Sequence, residues 1–228
     1  MFLASFPSGA WQANCYLIAA AEKAECVVID PGQDAAAMVA RLVAEHGLVP
    51  SAVLATHGHF DHVADAAQVA DSYGIPVYIH PSDRHLLADP AAGLDPGGAA
   101  LVRNLIGAVM AEPAEVRPYP DGMLAVAGLE FEVLPAPGHT AGSVLLWVAT
   151  DEHPGVERIA FTGDVVFAGS VGRTDLPGGD QPTMLRSLRE VVLTLPDRTA
   201  LLPGHGPQTS LANERLHNPC LQPDFLRN

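Results

Sequence analysis

The chain has 228 residues, 48% hydrophobic and 17% charged, with 21 glycines and 20 prolines, which fits a folded protein rich in tight turns and excludes a disordered one. Its length accommodates one substantial core or two small domains, and the lack of an internal repeat or low-complexity linker favours one. A formal net charge of −14 without a Lys/Arg cluster argues against a nucleic-acid partner.

The start, Met1 to Pro7, carries neither a basic segment nor a sustained apolar run, and no stretch is long enough to span a bilayer. No membrane partner and a cytoplasmic location are therefore expected, while the oligomeric state is left open. Residues 14–18 and 26–29 read as a β-hairpin that opens the fold, closed by the turn Asp30-Pro31-Gly32. Residues 35–46 then read as a helix with Met38, Leu42 and Val43 on one face and Gly47 as its stop.

The alternation repeats with a strand over 52–55, a histidine-rich loop, a helix from about Val63 to Tyr73 and a strand over 75–79. This is an α/β pattern, in which ligand sites gather at loops beyond strand ends. Residues 88–121 are broken by Pro90, Gly93, Pro96, Gly97 and Gly98 and read as a variable insertion, with one helix over 99–110. Strands are expected over 131–134, 143–148, 158–161 and 200–202, and a helix over 182–195. Cys15, Cys26 and Cys220 are odd in number and widely spaced, so they suit buried or incidental thiols rather than a disulfide framework or a thiolate metal site.

The chemistry concentrates in Thr56-His57-Gly58-His59-Phe60-Asp61-His62. Residues i and i+2 leaving a strand project to one side, so His57 and His59 can converge on one ion while the chain continues to Asp61 and His62, which reads most naturally as two neighbouring ions. Imidazole nitrogens with carboxylate oxygens suit zinc, iron or manganese. His139, Asp164 and His205 share a context with one another: each follows an apolar run and sits beside a glycine in a turn. His46, His80, His85, His153 and His217 lack that setting and are taken as structural or exposed.

Together the motifs Thr-His-Gly-His-Phe-Asp-His at 56–62, Pro-Gly-His-Thr at 137–140, Thr-Gly-Asp at 162–164 and Pro-Gly-His-Gly at 203–206 resemble the metallo-β-lactamase superfamily across nearly the whole chain. The resemblance implies a four-layer αββα sandwich holding two divalent metal ions, with zinc favoured over iron or manganese. It assigns His57, His59 and His139 to the first ion, Asp61, His62 and His205 to the second, and Asp164 as the bridge. Val28-Ile29-Asp30-Pro31-Gly32 is similar to the family's first motif, in which the aspartate supports the metal loop rather than binding metal.

A complete ligand set with the bridging aspartate disfavours antibiotic hydrolysis. The segment 167–180, with Gly172-Arg173-Thr174-Asp175 and Leu176-Pro177-Gly178-Gly179, is similar to single-domain glyoxalase II-like hydrolases. That implies hydrolysis of an S-acyl, lactoyl-type thioester of a small thiol by metal-hydroxide attack, with Asp61 or Asp164 orienting the nucleophile. Only 23 residues follow His205, so the helical domain with which the usual glyoxalase II grips glutathione is not expected. Arg173 and Asp175 are expected to brace the loop after Asp164. The rival expectations are a persulfide dioxygenase with one iron on His57, His139 and Asp164, a lactone hydrolase, and a metal-binding module without turnover.

Overall fold

The computed structural model describes residues 1–106, 110–150 and 155–227. Two six-stranded sheets dominate it. The first runs in the order β1 (Phe2–Ser8), β2 (Ala13–Ala19), β3 (Glu25–Ile29), β4 (Val49–Leu54), β5 (Val77–Ile79) and β6 (Val116–Pro118). The first three strands are an antiparallel meander, and β3 to β6 pair in parallel.

The helices of the first half are α1 (Ala36–His46), α2 (Phe60–Val63), α3 (Ala66–Tyr73) and α4 (Pro96–Ile106). The second sheet contains β7 (Gly122–Val126), β8 (Leu129–Pro135), β9 (Val144–Ala149) and β10 (Arg158–Gly163). A small hairpin, β11 (Val166–Phe167) with β12 (Ser170–Val171), and helix α5 (Gln181–Glu190) follow. The sheet is completed by β13 (Thr199–Pro203) and β14 (Thr209–Ser210), in the order β14-β13-β10-β9-β8-β7, and the chain continues into α6 (Leu211–His217) and α7 (Pro223–Leu226).

Strand alternation explains why there are four layers. In β3, Cys26 and Val28 pack with Val39 of α1 and Val69 of α3, whereas Val27 and Ile29 face the other way. In β10, Ile159 and Phe161 join that second core with Val27 and Ile29, while Ala160 packs with Leu185 and Leu188 of α5. One apolar core therefore lies between the sheets and one beneath each helical layer, giving the expected αββα sandwich.

Several sequence expectations shift. Three strands open the fold, not two: β1 is a half-buried edge strand whose Pro7 costs little there, and its weak alternation hides it. On α1, Leu42 and Val43 pack against the core beside the fully buried Val39, while Met38 is 37% exposed. The expected helix from Val63 to Tyr73 is two, α2 and α3, so Asp61 and His62 lie in a helical turn rather than a loop. The helix expected to reach Leu195 ends at Glu190, with a short 3-10 turn over Val192–Thr194.

Gly47 stops α1 in the left-handed conformation as expected. Residues 88–121 contain α4 and β6, and β6 pairs in parallel with β5. The helix expected over 99–110 starts earlier, at Pro96, and its continuation through 107–109 lies outside the described residues, as does His153.

Candidate metal centre

Strands β8 and β10 are each antiparallel to β9, and β13 is parallel to β10, so these three end at the same edge of their sheet. Residues following those ends, His139, Asp164 and His205, meet the turn that follows β4. The amide of Val144 donates to the carbonyl of Thr56 at 2.9 Å, fastening the turn of one sheet to the other.

Two histidine-rich groups have ligand atoms that all lie within 4.8 Å of one another: His57 with His59 and His139, and Asp61 with His62 and His205. In the first group His59 Nδ1 is 2.8 Å from His139 Nε2. In the second, His205 Nε2 is 3.1 Å from Asp61 Oδ2 and 3.3 Å from His62 Nε2. Asp164 lies between the groups, with Oδ2 3.6 Å from His139 Nε2 and 3.5 Å from His205 Nε2, and Oδ1 3.4 Å from His62 Nε2. All seven sequence-selected residues are thus brought together.

A third set, Asp30 with His57 and His62, also falls within that distance, but its carboxylate is already engaged. Thr56 donates its amide to Asp30 Oδ1 at 2.7 Å and its hydroxyl to Oδ2 at 2.6 Å, while His62 Nδ1 lies 3.0 Å from Oδ2. Asp30 therefore orients the 56–62 turn and the His62 ring from behind, leaving His62 Nε2 for an ion. The carbonyl of Arg173 does the same for His139, accepting from Nδ1 at 2.7 Å.

Polar satisfaction tests whether ions fit. Among the described residues, His57 Nε2 and Asp164 Oδ1 are buried in the cluster without a hydrogen-bond partner, an arrangement that costs free energy unless something polar or cationic completes it. Burial, then the neighbouring His62 and His139, holds the His57 imidazole well below its usual range. Burial and His139 bring His59 down to about 3. Both rings are neutral at pH 7 and keep a lone pair for a metal. Burial opposes ionisation of Asp164, but the charge and hydrogen bond of His62 together with the charges of His139 and His205 outweigh it and draw the carboxyl below its ordinary value. The donor set fits a pair of divalent cations.

Two supports carry no local sequence signal. Asp83, in the 3-10 turn after β5 and 1% exposed, accepts from the Gly58 amide at 2.9 Å, the Thr140 hydroxyl at 2.6 Å and the Gly142 amide at 2.8 Å. It ties the turn bearing His57 and His59 to the turn bearing His139. Glu214 of α6 accepts from the Gly169 amide at 2.7 Å, and Asn218 donates to the carbonyls of Phe167 and Ser170, which fixes the β11-β12 hairpin beside His205. Both look like ordinary surface polar residues in sequence, because their partners are remote along the chain.

Backbone approach is close where Gly204 precedes His205. A Cβ there would strike Asp164 Oδ1 and lie 2.6 Å from His62 Cε1. His46, His80, His85 and His217 stay outside the cluster: His46 pairs with Glu22, His80 accepts from the Ser82 amide, and His85 and His217 are exposed. Arg173 and Asp175 form the expected brace, with Nε and Nη2 each 2.7 Å from a carboxylate oxygen.

A cavity of about 440 Å³ opens over the cluster, walled by Trp11, Phe60, Leu94, Val102, Phe167 and Leu176. Leu94 and Val102 belong to the segment read as an insertion, which thereby supplies one wall. His205, with 29% of its side chain exposed, and Asp61, with 19%, mark the open side of the centre.

A sandwich of this topology with paired His/Asp clusters at one edge defines a metal-dependent hydrolase of the αββα type. The chain belongs to the metallo-beta-lactamase superfamily, whose family model matches residues 8–205. An uncharacterized protein of Mycobacterium leprae is 43% identical over 97% of this chain and 99% of its own length. The probable metallo-hydrolase YqgX of Bacillus subtilis is 38% identical over 94% and 95%, and the hydroxyacylglutathione hydrolase GloC of Haemophilus influenzae 34% over 94% and 95%.

Among solved structures, BLEG-1, described as a B3 metallo-beta-lactamase, superposes with a TM-score of 0.81 at 36% identity, covering 97% of this chain and all of that one. TTHA1623 in a di-iron-bound form gives 0.73 at 37%, covering 96% and 99%. ETHE1 from Myxococcus xanthus gives 0.74 at 25%, covering 100% and 89%.

Proposed function

We propose that the chain hydrolyses an S-acyl thioester of a small thiol. The observation that carries this reading is the convergence of seven His/Asp side chains, two of them with unpartnered buried polar atoms in the cluster, beneath a largely apolar cavity. His57, His59 and His139 would hold one divalent ion, Asp61, His62 and His205 a second, and Asp164 would reach both. Two such ions supply a hydroxide nucleophile near neutral pH and polarise a carbonyl oxygen.

The remaining work falls to the protein. Asp30 and the Arg173 carbonyl keep the ring nitrogens of His62 and His139 aimed inward. Asp61, partly exposed at the open side, is the carboxylate available to accept and orient a nucleophile's proton. The apolar walls exclude bulk water around the reacting carbonyl. A departing thiolate, with a parent pKa of about 8.5, needs little general-acid assistance.

Support for a thioester comes from the 167–180 segment and from the relative named hydroxyacylglutathione hydrolase. Zinc is the ion we favour, on the imidazole-rich donor set. The di-iron form of TTHA1623 makes iron the second ion to load. A mononuclear iron oxidoreductase using His57, His139 and Asp164 is the rival reading, and the likeness to BLEG-1 adds a β-lactam to the substrates to be tried.

The deciding experiment is metal analysis paired with parallel assays of an S-lactoyl thiol, a lactone, a persulfide and a β-lactam. Thiol release with two metals per chain is the expected result. Oxygen uptake on persulfide with one iron per chain would replace this reading with the oxidoreductase.

A further inference from the structure

The cavity over the metal ligands has two unlike ends. Apart from the candidate ligands, its charged residues are Asp95 and Arg173, and both belong to the side that meets an adjoining groove of about 780 Å³. Asp95 lines the two spaces together with Leu94 and Leu176, while Arg173 is paired with Asp175 of the groove. Arg103 and the glycine backbone of 178–179 line the groove as well. A ligand leaving the centre on this side therefore meets guanidinium N–H groups and main-chain polar atoms.

The other end is apolar: Trp11, Phe60, Val102 and Phe167 line the cavity but not the groove. Trp11 and Phe60 meet edge to face with ring centroids 5.6 Å apart, and Phe167 stands edge-on to His205 at 6.2 Å. Helix α4 separates the two spaces, with Gly98 and Val102 on the cavity and Ala99 and Arg103 on the groove. Gly98 thus lines the cavity without a side chain to fill it. At about 30 Å³ for each non-hydrogen atom, a lactoyl group takes up about 150 Å³ of the roughly 440 Å³ available. Small soluble thiols are polar, so the apolar end finds its complement in the acyl group.

We propose that this end is an acyl-chain pocket: the protein selects thioesters whose acyl group is an apolar chain of about four to six carbons, with the thiol directed into the outer groove. The inference rests on the thioester reading and names its acyl group. Water adds its oxygen to the acyl carbon, the C–S bond breaks, and a carboxylic acid and a thiol leave.

The test uses the full metal-loaded chain in two arms. In the binding arm, calorimetry compares the hydroxamic acids from acetyl to hexanoyl, whose headgroup binds metal and whose alkyl chain stands for the acyl chain. Affinity should rise about fourfold for each methylene that the pocket takes up. In the activity arm, kcat/KM on S-acyl-N-acetylcysteamines should rise in the same way from acetyl to hexanoyl, and the hexanoyl thioester should be cleaved with a higher kcat/KM than the lactoyl one. A Cβ on Gly98 would meet Leu94 Cβ at 3.4 Å and Asp95 Oδ1 at 3.7 Å, which are ordinary contacts, so Gly98→Leu can fill the pocket within an intact helix. It should lower the hexanoyl-to-acetyl ratio about tenfold in both arms at unchanged metal content, and Gly98→Ala should lower it less.

A hexanoyl-to-acetyl ratio near one, a ratio that neither Gly98 variant moves, or a lactoyl thioester cleaved better than the hexanoyl one overturns the pocket and leaves thioester hydrolysis standing. So does a gain from lengthening the alkyl thiol of an acetyl thioester with none on the acyl side. Hydroxamate binding that grows with chain length and is cut by Gly98→Leu, with no thioester cleaved, keeps the apolar pocket and removes the thioester reading.

Discussion

Thr140 donates its hydroxyl to Asp83 at 2.6 Å, and through that bond the turn carrying His139 is fastened to the same buried carboxylate that holds the amide of Gly58, between His57 and His59. Asp83 touches no candidate ligand atom, yet it sets the spacing of all three histidines of the first group.

Asp83→Asn should therefore weaken metal binding at that group. An amide presents one acceptor oxygen and one donor nitrogen, so at least one of the Gly58, Thr140 and Gly142 donors would face another donor. The expected loss is about 10- to 100-fold in affinity for the first ion and about 1–3 kcal/mol of stability. Competition with a chelator and denaturant unfolding measure both; a variant with unaltered zinc affinity would refute the clamp.

Removing the carboxylate between the groups should be more damaging. In Asp164→Ala, metal content should fall from two ions toward one per chain, and hydrolysis by about 100-fold or more. Full activity in a metal-replete variant would sink the dinuclear mechanism.

The two ions should load with different pH dependence. Burial leaves His57 and His59 neutral, so neither of these rings surrenders a proton on binding. Burial also opposes protonation of His62 and His205, but Asp164 and Asp61 prevail and hold both above the usual imidazole value. Those rings must lose protons before binding, so affinity of the second group falls as pH drops through their raised pKa values. Zinc calorimetry between about pH 5.5 and 8, in buffers of different ionisation heat, should find more protons released by the second ion. Equal pH slopes for both ions would contradict this.

Chelation should destabilise the fold, because the ions bind the assembled site and not the unfolded chain. At a free metal concentration about 100 times the dissociation constant, the gain is about 2.7 kcal/mol, or roughly 5–10 °C in Tm for a chain of this size. Scanning calorimetry before and after removal, and again after reloading, checks this; an unchanged Tm would mean that the site is not coupled to folding.

Gly204→Ala tests the close approach behind the second group. The added methyl would meet Asp164 and His62, so the second ion should be lost while the first is retained. Metal analysis that still finds two ions per chain in this variant would show that the backbone yields more easily than its packing implies.

Much of this centre was legible in one dimension. His57, His59, Asp61 and His62 lie within one turn of chain, and His139, Asp164 and His205 each sit beside a glycine at a strand end, so chemistry and backbone need coincide in the sequence. The αββα order was not readable from periodicity alone, since β1 and β6 lie at the sheet edge, where weak or short strands suffice. Asp83 and Glu214 were invisible because a buried carboxylate satisfied by distant amides has no local pattern.

The sequence by itself thus determined the ligand types, their grouping and the turns that present them, because those depend on residue identity and local backbone geometry. Only the tertiary structure decided that Asp164 falls between the two groups, that α4 walls the cavity, and that Arg173 at its edge is paired with Asp175. The first two facts depend on how elements far apart in the chain are brought together, and the third on a side-chain geometry that adjacency in sequence allows but does not dictate.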